Sequence, residues 1–217
     1  MYINIVEDSF EVIGKELLKL EYNYNPKPTL FETIKIQDGK VYNLEHHQKR
    51  VNFAYKSLFK SNKAFILKDI LKDIPQSNTY RAKVIYNSKG LINYNYYIYS
   101  KKPIYKIALV ELNINYNYKY LNREPFEYLY KKYPNFDEFI ILKNGYLSDS
   151  TIANIALLDN TNSMWYTPKE PLLNGITRQR YIKSNKLIKK MIHYKDLKNY
   201  AKIATLNAMV DFNILKV

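Results

Sequence analysis

Residues 144–178 read NGYLSDSTIANIALLDNTNSMWYTPKEPLLNGITR, and this stretch decides the fold and chemistry expected of the chain. It ends in Leu173-Asn-Gly-Ile-Thr-Arg178, a glycine turn that leads into a basic amphipathic segment. A glycine at a loop-to-helix junction lets backbone N–H groups approach an anion closely. Upstream, the carboxylate of Asp149 stands alone between strand-like runs. An anion cradle with a buried acid suits a phosphorylated heterocyclic cofactor, so the stretch predicts a cofactor enzyme.

The composition indicates a globular protein. Its 217 residues are 47% hydrophobic and 25% charged, enough for one large domain or two small ones. Cysteine is absent, which excludes disulfides, cysteine metal sites and thiol catalysis, and a cytoplasmic location is expected. No apolar run has the length of a membrane span, and the first residues lack a signal-peptide pattern. We therefore expect no membrane partner.

The net charge of +14 leaves two kinds of partner open. One is a nucleic acid, and the other is a small anionic substrate drawn in by the basic field. The basic residues are spread along the chain, and the aromatic residues alternate inside strand-like runs such as 93–100. This distribution favours a small anionic substrate and no nucleic acid, with a basic nucleic-acid-binding protein as the alternative class.

Both halves of the chain mix predicted strands and helices. The predicted strands cover residues 29–36, 40–42, 80–86, 91–100, 106–112, 138–142, 152–158, 164–166 and 202–206. The predicted helices cover residues 44–59, capped by Asn43, and residues 63–73, 121–133 and 177–191. Strict βαβ alternation is missing, which favours an α+β fold over a doubly wound sheet. The region of Pro103 is the expected boundary between an N-terminal domain, residues 1–104, and a C-terminal domain, residues 105–217.

Each candidate site residue also has an ordinary structural interpretation. Thr177 could simply cap the last helix, and Asp149 could be a turn residue between strands. Arg50 lies in a basic helical run that is typical of a solvated face. Lys119 follows a strand, and it would be nucleophilic only if burial lowered the pKa of its amine.

No metal site and no other familiar catalytic motif is indicated. His46 and His47 are adjacent, so they cannot share one helix face as histidines four residues apart do, and we interpret them as structural. A Ser-His-Asp set, a GxGxxG turn and a P-loop are all missing from the sequence.

Taken together and in order, several blocks resemble the class IV aminotransferase family, the fold-type IV pyridoxal phosphate enzymes. Any one block is weak, but their order and spacing are specific. The resemblance extends from about Phe31 to Val210 and is carried by residues 31–34 (FETI), 44–50 (LEHHQKR), 119–122 (KYLN), 145–154 (GYLSDSTIAN), 166–168 (YTP), 173–178 (LNGITR) and 206–209 (LNAM).

The resemblance implies a two-domain enzyme with pyridoxal 5'-phosphate in the cleft between the domains, usually as a homodimer. It implies that Lys119 is the lysine that binds the cofactor covalently and that Arg50 pairs with its phosphate. Ile176 and Thr177 fall on the phosphate-binding turn, and Asn207 on a further phosphate contact. Asp149 falls where the family usually has a glutamate against the pyridine nitrogen, and Asn154 matches an asparagine behind the cofactor.

The chain departs from the family pattern at several points. Asp149 is one methylene shorter than the usual glutamate, and Ala156 replaces an aromatic residue. The loop 167–173 is slightly short, and Pro28-Thr-Leu30 stands where Gly-Asp-Gly is frequent.

Among the activities of the family, the resemblance favours 4-amino-4-deoxychorismate lyase, which releases pyruvate and gives 4-aminobenzoate for folate biosynthesis. The chain is short for an aminotransferase, and a basic surface suits an anionic substrate. An aminotransferase of the branched-chain or D-amino acid type is the alternative, and a member that binds cofactor without turnover is also open. Arg81, within a predicted strand, is a candidate partner for a substrate carboxylate, although an exposed strand arginine would look the same.

Overall fold

The structure is a computed structural model, and it describes residues 1–216. Strands and helices alternate irregularly along these residues. The strands are β1 (Tyr2–Val6), β2 (Ser9–Ile13), β3 (Leu18–Lys19), β4 (Leu30–Gln37), β5 (Lys40–Val41), β6 (Thr79–Asn87), β7 (Gly90–Ile98), β8 (Lys106–Glu111), β9 (Glu138–Lys143), β10 (Tyr146–Ser150), β11 (Asn154–Asp159), β12 (Trp165–Pro168), β13 (Ile188–Lys190), β14 (Tyr200–Asn207) and β15 (Asp211–Ile214). The helices are α1 (Leu44–Ser57), α2 (Leu67–Ile70), α3 (Glu124–Lys132) and α4 (Ile176–Lys183), and a 3-10 helix covers Tyr194–Asn199. Within these residues no helix is long and apolar enough to cross a bilayer.

The chain divides into two compact units. Unit 2 consists of Asn25–Lys101 and Tyr118–Asn122, and unit 1 contains Met1–Tyr24, Lys102–Asn117 and the chain from Arg123 onward. The chain returns to unit 1 at Lys102, close to the predicted boundary at residue 104. Residues 1–24 differ from the prediction, which placed them with the N-terminal domain. They belong to unit 1 because β1 pairs antiparallel with β8, about a hundred residues later in the chain.

Unit 1 is built on one large sheet. Its strand order is β13-β12-β11-β10-β9-β8-β1-β2, with β14 paired to β11 and β15, and β3 paired to β8. The β8–β9, β3–β8 and β12–β13 pairs are parallel, and the others are antiparallel. Strands β8 and β9 are buried on both faces, as expected for central strands. The main core of this unit includes Ile3, Ile107, Leu109, Ile140, Leu142, Ile155, Leu157 and Ile203.

Unit 2 is a four-stranded antiparallel sheet in the order β5-β4-β6-β7. Alternate residues of β4 and β6 point to the same face of the sheet, and these residues pack against helix α1. The resulting core contains Leu30, Ile34, Ile36, Val51, Ala54, Tyr55, Ala82, Val84 and Tyr86. The opposite face of β4 and β6 carries the residues in between.

The structure confirms the predicted α+β class, because antiparallel pairing dominates both sheets and the helices do not alternate regularly with parallel strands. Pro125 lies in the first turn of α3, where a proline costs no intrahelical hydrogen bond, as predicted.

Two predicted helices are wrong in extent. The helix expected over residues 177–191 ends at Lys183, because Asn185 adopts a left-handed φ of 57° and Lys186 N donates to Tyr181 O across the helix end. The chain then forms β13. The helix expected over residues 63–73 is a single turn, α2, because Gln48 on α1 hydrogen-bonds Phe65 O and Leu67 N and so fixes this segment by tertiary contacts.

The predicted cap of α1 is also different. Asn43 stands at the N-cap position, but it has a left-handed φ of 55° and its side chain makes no capping hydrogen bond. Asn43 therefore serves as the turn residue between β5 and α1, since asparagine tolerates this conformation better than most residues.

Candidate functional site

Lys119 lies beside the first residues of β4 in unit 2. Its carbonyl oxygen accepts a hydrogen bond from Phe31 N at 2.9 Å, and Leu121 N donates to Thr29 O at 2.9 Å. A β-bridge between Leu30 and Tyr120 continues this antiparallel contact. The Lys119 side chain is half-buried, and its ammonium nitrogen lies 4.4 Å from the centre of the Phe31 ring. The position is thus defined by backbone pairing on both sides and by an aromatic surface.

Arg50 is held by a buried carboxylate, Glu32, on the α1 face of β4. Arg50 Nε and Nη2 donate to Glu32 Oε1 and Oε2 at 2.8 and 2.5 Å, the two-pronged geometry that suits arginine and carboxylate. His47, one helical turn earlier on α1, places Nδ1 2.5 Å from Glu32 Oε2. The Arg50 side chain is only 14% exposed, so the interpretation of Arg50 as part of a solvated face is wrong.

The charges of this cluster follow from burial and pairing. Burial alone would raise the pKa of Glu32, but the Arg50 charge and the hydrogen bonds from His47 and Arg50 lower it to about 2. Burial lowers the pKa of His47 despite the nearby Glu32 carboxylate. We therefore describe His47 as a neutral donor to an ionised Glu32, and the structural interpretation of His47 holds.

Replacing Glu32 with glutamine is expected to lower the free energy of unfolding by about 3 kcal/mol at neutral pH, because Arg50 would stay largely buried without its carboxylate. The pKa of Glu32 is about 2 in the folded chain and 4.5 in the reference state. The contribution of the ionised Glu32 carboxylate to the free energy of unfolding is therefore present above pH 4.5 and is lost as the pH falls toward 2. Urea unfolding at several pH values should show that the difference in the free energy of unfolding between wild type and variant becomes smaller as the pH falls from 4.5 toward 2.

The control for this prediction is Glu45→Gln, which changes an exposed carboxylate on α1. Its effect should stay within about 0.5 kcal/mol. If the loss of unfolding free energy in Glu32→Gln stayed constant from neutral pH to about pH 2, the description of Glu32 as an ionised partner of Arg50 would be wrong.

Arg81 lies on the face of the unit 2 sheet that points away from α1. It is exposed, and its guanidinium carbon lies 5.4 Å from the centre of the Tyr97 ring on the neighbouring strand β7. Lys35 is directly opposite on β4.

Asp149 and Asn154 form a directly paired couple where β10 meets β11 in unit 1. Asn154 Nδ2 donates to Asp149 Oδ1 at 2.7 Å and to Leu173 O at 2.8 Å, while Leu173 N donates to Asp149 Oδ2 at 2.9 Å. Burial raises the pKa of Asp149 to about 6, although these bonds and the charge of Arg178 work in the opposite direction. Asp149 is therefore a fixed, buried acid and more than a turn residue.

The glycine turn leads directly into α4. Gly175 is the N-cap residue, with φ −65° and ψ 146°, and Ile176 and Thr177 are the first residues of the helix. The Thr177 hydroxyl is buried and has no hydrogen-bond partner in the described part of the chain, so the alternative that Thr177 caps the helix is wrong. A Cβ atom on residue 175 would collide with Asn154 Oδ1. The turn therefore requires glycine and brings an unsatisfied hydroxyl to a helix N-terminus.

Arg178 anchors this turn to the sheet. Its Nη2 donates to Pro168 O at 2.8 Å, Nη1 to Asn174 Oδ1 at 3.1 Å and Nε to Thr167 Oγ1 at 3.2 Å. The Arg178 side chain is buried. These three bonds fix the loop that supplies Leu173 N to Asp149.

Asn207 lies at the end of β14. Its Oδ1 accepts from Met209 N at 2.9 Å and Val210 N at 3.1 Å, which makes a local turn. Its Nδ2 lies 3.4 Å from Ile152 O, in the loop between Asp149 and Asn154. The predicted residues thus fall into two groups: Arg50, Lys119 and Arg81 in unit 2, and Asp149, Asn154, Ile176, Thr177 and Asn207 in unit 1.

Another buried acid, Glu138 at the start of β9, was missed by the sequence analysis. Its Oε1 accepts from Tyr130 OH at 2.9 Å, Phe139 N at 2.9 Å, and Thr151 Oγ1 and N at 2.5 and 3.2 Å. Arg123 Nη2 donates to Thr151 O at 2.7 Å. This network fixes Thr151, which lies between the two members of the Asp149–Asn154 pair. The sequence did contain a signal for this buried acid, because Glu138 directly precedes an apolar run, residues 139–142.

Comparison with known proteins agrees with this geometry. The family model described as "Amino-transferase class IV" matches residues 29–215. A protein of uncharacterised function from Haemophilus influenzae is 30% identical over 187 residues, which cover 83% of this chain and 97% of that protein. A crystal structure from Haemophilus somnus, provisionally assigned as a 4-amino-4-deoxychorismate lyase, has a TM-score of 0.74 and 28% identity, covering 83% of this chain and 96% of its own.

More distant structures share the fold. A hypothetical aminotransferase from Mycobacterium tuberculosis, solved in its PLP-bound form, has a TM-score of 0.69 at 13% identity, covering 99% of this chain and 90% of its own. The branched-chain amino acid aminotransferase of Escherichia coli has a TM-score of 0.65 at 14% identity, covering 87% of this chain and 75% of its own. The fold is that of the fold-type IV pyridoxal phosphate enzymes. The chain belongs to the class IV aminotransferase family, and pyridoxal 5'-phosphate is its cofactor.

The unit 1 residues fit a phosphorylated cofactor. The buried Thr177 hydroxyl needs a hydrogen-bond acceptor, and the first N–H groups of α4 have no partners within the helix. Because Gly175 has no side chain, Asn154 packs directly against the backbone of the turn. An anion at this helix start would satisfy both requirements.

Replacing Gly175 with alanine is expected to lower the free energy of unfolding by about 2 kcal/mol, because the new Cβ displaces Asn154 from Asp149 and Leu173. The cofactor affinity should fall as well. Urea unfolding and cofactor titration measure the two effects. In an Asn154→Ala background the added cost of Gly175→Ala should be smaller, since the colliding atom is gone. An equal cost in both backgrounds would contradict this explanation.

Proposed function

We propose that the chain is a pyridoxal phosphate-dependent 4-amino-4-deoxychorismate lyase, which eliminates pyruvate and leaves 4-aminobenzoate. The observation that carries this choice is the 28% identity with the provisionally assigned lyase from Haemophilus somnus, of which the match covers 96%. The match to the E. coli branched-chain aminotransferase has 14% identity and covers 75% of that chain. A class IV aminotransferase is the second candidate, because the family model itself carries that description.

The proposal assigns roles to the residues described above. Arg50, the backbone at Ile176, the Thr177 hydroxyl and Asn207 bind the phosphate. Asp149 holds a proton on the pyridine nitrogen, and Asn154 orients Asp149 through the 2.7 Å bond to Oδ1. Glu32 in turn orients Arg50 through two hydrogen bonds. Lys119 binds the cofactor covalently through its amine.

Once bound, pyridoxal phosphate supplies an electron sink for the charge that develops on the carbon bearing the substrate nitrogen. The chain's own part is proton transfer: the Lys119 amine takes the proton from that carbon, as a general base. Pyruvate gains one proton at its methyl group when the carbon–oxygen bond breaks. The proton lost by the ring carbon balances this gain, so the elimination consumes no water and no oxidant.

The test supplies aminodeoxychorismate to cofactor-loaded protein and measures pyruvate and 4-aminobenzoate. The proposal predicts both products in equal amounts. If neither forms and amino groups instead pass to 2-oxoglutarate, the chain is an aminotransferase. A cofactor-loaded protein that does neither would be a member that binds cofactor without turnover.

The proposed assembly is a homodimer. Light scattering should then give twice the chain mass of 25.9 kDa. A mass equal to one chain would overturn this part of the proposal.

A further inference from the structure

Strand β10 contains a β-bulge at Asp149. The register of β10 against β9 shifts by one residue between Leu147 and Ser150. Ser148 and Asp149 therefore stand opposite a single residue of β9, Ile141. A bulge bends its strand and changes the direction of the side chains, and bulges are frequent next to active sites.

The bulge brings two consecutive side chains of β10 to the same loop. Successive side chains of a regular strand point to opposite faces of the sheet. Here Ser148 Oγ donates to Glu170 O at 2.8 Å. Asp149 Oδ2 accepts from Leu173 N at 2.9 Å, three residues further along that loop. The direction of the Asp149 carboxylate therefore depends on β10 being held in this register.

Thr151, the residue that follows β10, is fixed by Glu138 on β9. Thr151 Oγ1 and N donate to Glu138 Oε1 at 2.5 and 3.2 Å. Thr151 N also lies 3.1 Å from Phe139 O, and Thr151 O accepts from Arg123 Nη2 at 2.7 Å. Thr151 and Glu138 are buried, so a slip of β10 by one residue would leave polar groups unpaired in the core. We call the two bonds from Thr151 to Glu138 the β10 clamp.

Asp149 has little freedom to correct an error in its backbone position. Both of its carboxylate oxygens are already bonded, to Asn154 Nδ2 and to Leu173 N. A glutamate has an additional rotatable bond through which it could compensate for a shift of the strand, and an aspartate does not. A displacement on the order of 1 Å is enough to impair a catalytic contact. The position of the Asp149 carboxylate is therefore set by the backbone that the β10 clamp holds.

We propose that Glu138 and Thr151 are positioning residues, and that the β10 clamp sets how far the Asp149 carboxylate extends toward the pyridine nitrogen of the cofactor. This inference rests on the proposed function, which gives Asp149 the contact with that nitrogen. Glu138 and Thr151 act through Asp149 and not on the cofactor itself. The β10 clamp and the length of side chain 149 are thus matched, so a change in one alters the effect of a change in the other.

The test measures the dissociation constant of pyridoxal phosphate by absorbance titration, with urea unfolding to verify the fold of each variant. Thr151→Val keeps the shape of the side chain and removes the hydroxyl. Its dissociation constant is expected to rise by about tenfold, because the contact of Asp149 with the cofactor is weakened by about the worth of one hydrogen bond to a charged group. Thr151→Ser keeps the hydroxyl and should retain most of the affinity.

Asp149→Glu separates positioning from simple stabilisation. In the wild-type background the clamped strand leaves no room for an added methylene at this buried position, so the dissociation constant should rise. In the Thr151→Val background the strand is released and can move back, so the same change should lower the dissociation constant. If the β10 clamp only stabilised the fold, the effects of the two changes would add.

Thr161→Val is the matched control. Thr161 Oγ1 donates to Asp159 Oδ1 at 2.6 Å, so this variant also removes a threonine hydroxyl from an acid, but at the other end of β11. It should bind the cofactor as wild type does. Unchanged affinity in Thr151→Val, equal losses in Thr151→Val and Thr161→Val, or additive losses in the Thr151→Val/Asp149→Glu protein would each overturn the inference.

The titrations need no turnover, which keeps this inference separate from the proposed function. If the affinities follow the expected pattern and no pyruvate forms from aminodeoxychorismate, the lyase assignment is wrong and the positioning role of Glu138 and Thr151 stands. If pyruvate forms and Asp149→Glu fails to improve the affinity of Thr151→Val, the positioning role is wrong and the lyase assignment stands.

Discussion

Replacing Lys119 with alanine is expected to reduce turnover by at least about 1,000-fold, because one amine serves both as the covalent attachment point and as the general base. Folding should be little affected. The backbone atoms of Lys119, and not its side chain, make the β4 contact through the 2.9 Å bond from Phe31 N. The measurement is the rate of 4-aminobenzoate formation with saturating cofactor, together with urea unfolding to verify the fold.

Lys131→Ala is the matched control for this prediction, because Lys131 is an exposed lysine on α3 in the other unit. It should retain wild-type turnover. Full activity in the Lys119→Ala protein would remove Lys119 from the mechanism.

The second large effect is expected from Asp149→Asn, which should lower turnover by about 100-fold. Asparagine cannot hold a proton on the pyridine nitrogen. Asn154 Nδ2 and Leu173 N donate to different oxygens of Asp149, so in the variant one of these donors would face the side-chain NH2 group and lose its partner. The measurement is turnover as a function of cofactor concentration, which separates weaker cofactor binding from slower chemistry.

Asp159→Asn is the control for Asp149→Asn. Asp159 is also a buried aspartate, but it lies at the far end of β11 and accepts its hydrogen bonds from Thr161 and from Lys190 Nζ. This variant is expected to keep both cofactor and turnover. Comparable losses in the two variants would show that removal of any buried carboxylate disturbs the unit and would argue against a specific role for Asp149.

The parts of the fold that sequence could predict are those with local signals. Alternating apolar residues marked β4 and β6, apolar runs marked β9 and β11, and an Asp38-Gly39 turn marked the first hairpin, whereas β10 was not predicted. The N-terminal hairpin has the same alternation, with Ile3 and Ile5 buried, but its partner β8 is distant in the chain. Nothing local to residues 1–24 identifies that partner, so their membership of unit 1 could not be predicted.

The sequence at the end of α4 contains a helix stop signal, Asn185, that the helical spacing of the apolar residues obscured. Asn185 is a residue type that accepts a left-handed conformation, and the helix ends at Lys183, eight residues before the predicted end at Met191. Around α2 the apolar residues do pack into the core on the α1 side of the sheet, as Leu67 and Leu71 show, but the helix itself is only one turn long.

For the candidate site, the family resemblance predicted which residues belong to it, and the structure adds the hydrogen bonds and ion pairs that fix their positions. Glu32 falls on the same side of β4 as Leu30 and Ile34, and an acid on an apolar face signals a buried pair. That its partners are Arg50 and His47 depends on how α1 crosses the sheet, which the sequence of either element does not specify. The support that Arg178 gives to Asp149 through residues 167–174 is likewise a tertiary property.

The most direct test of the central claim is to reduce the yellow, cofactor-loaded protein with borohydride and to map the modified peptide by mass spectrometry. The account predicts that the colour is bleached and that the phosphopyridoxyl group is found on Lys119. A protein that stays colourless after incubation with pyridoxal phosphate, or a group fixed on a different lysine, would contradict it.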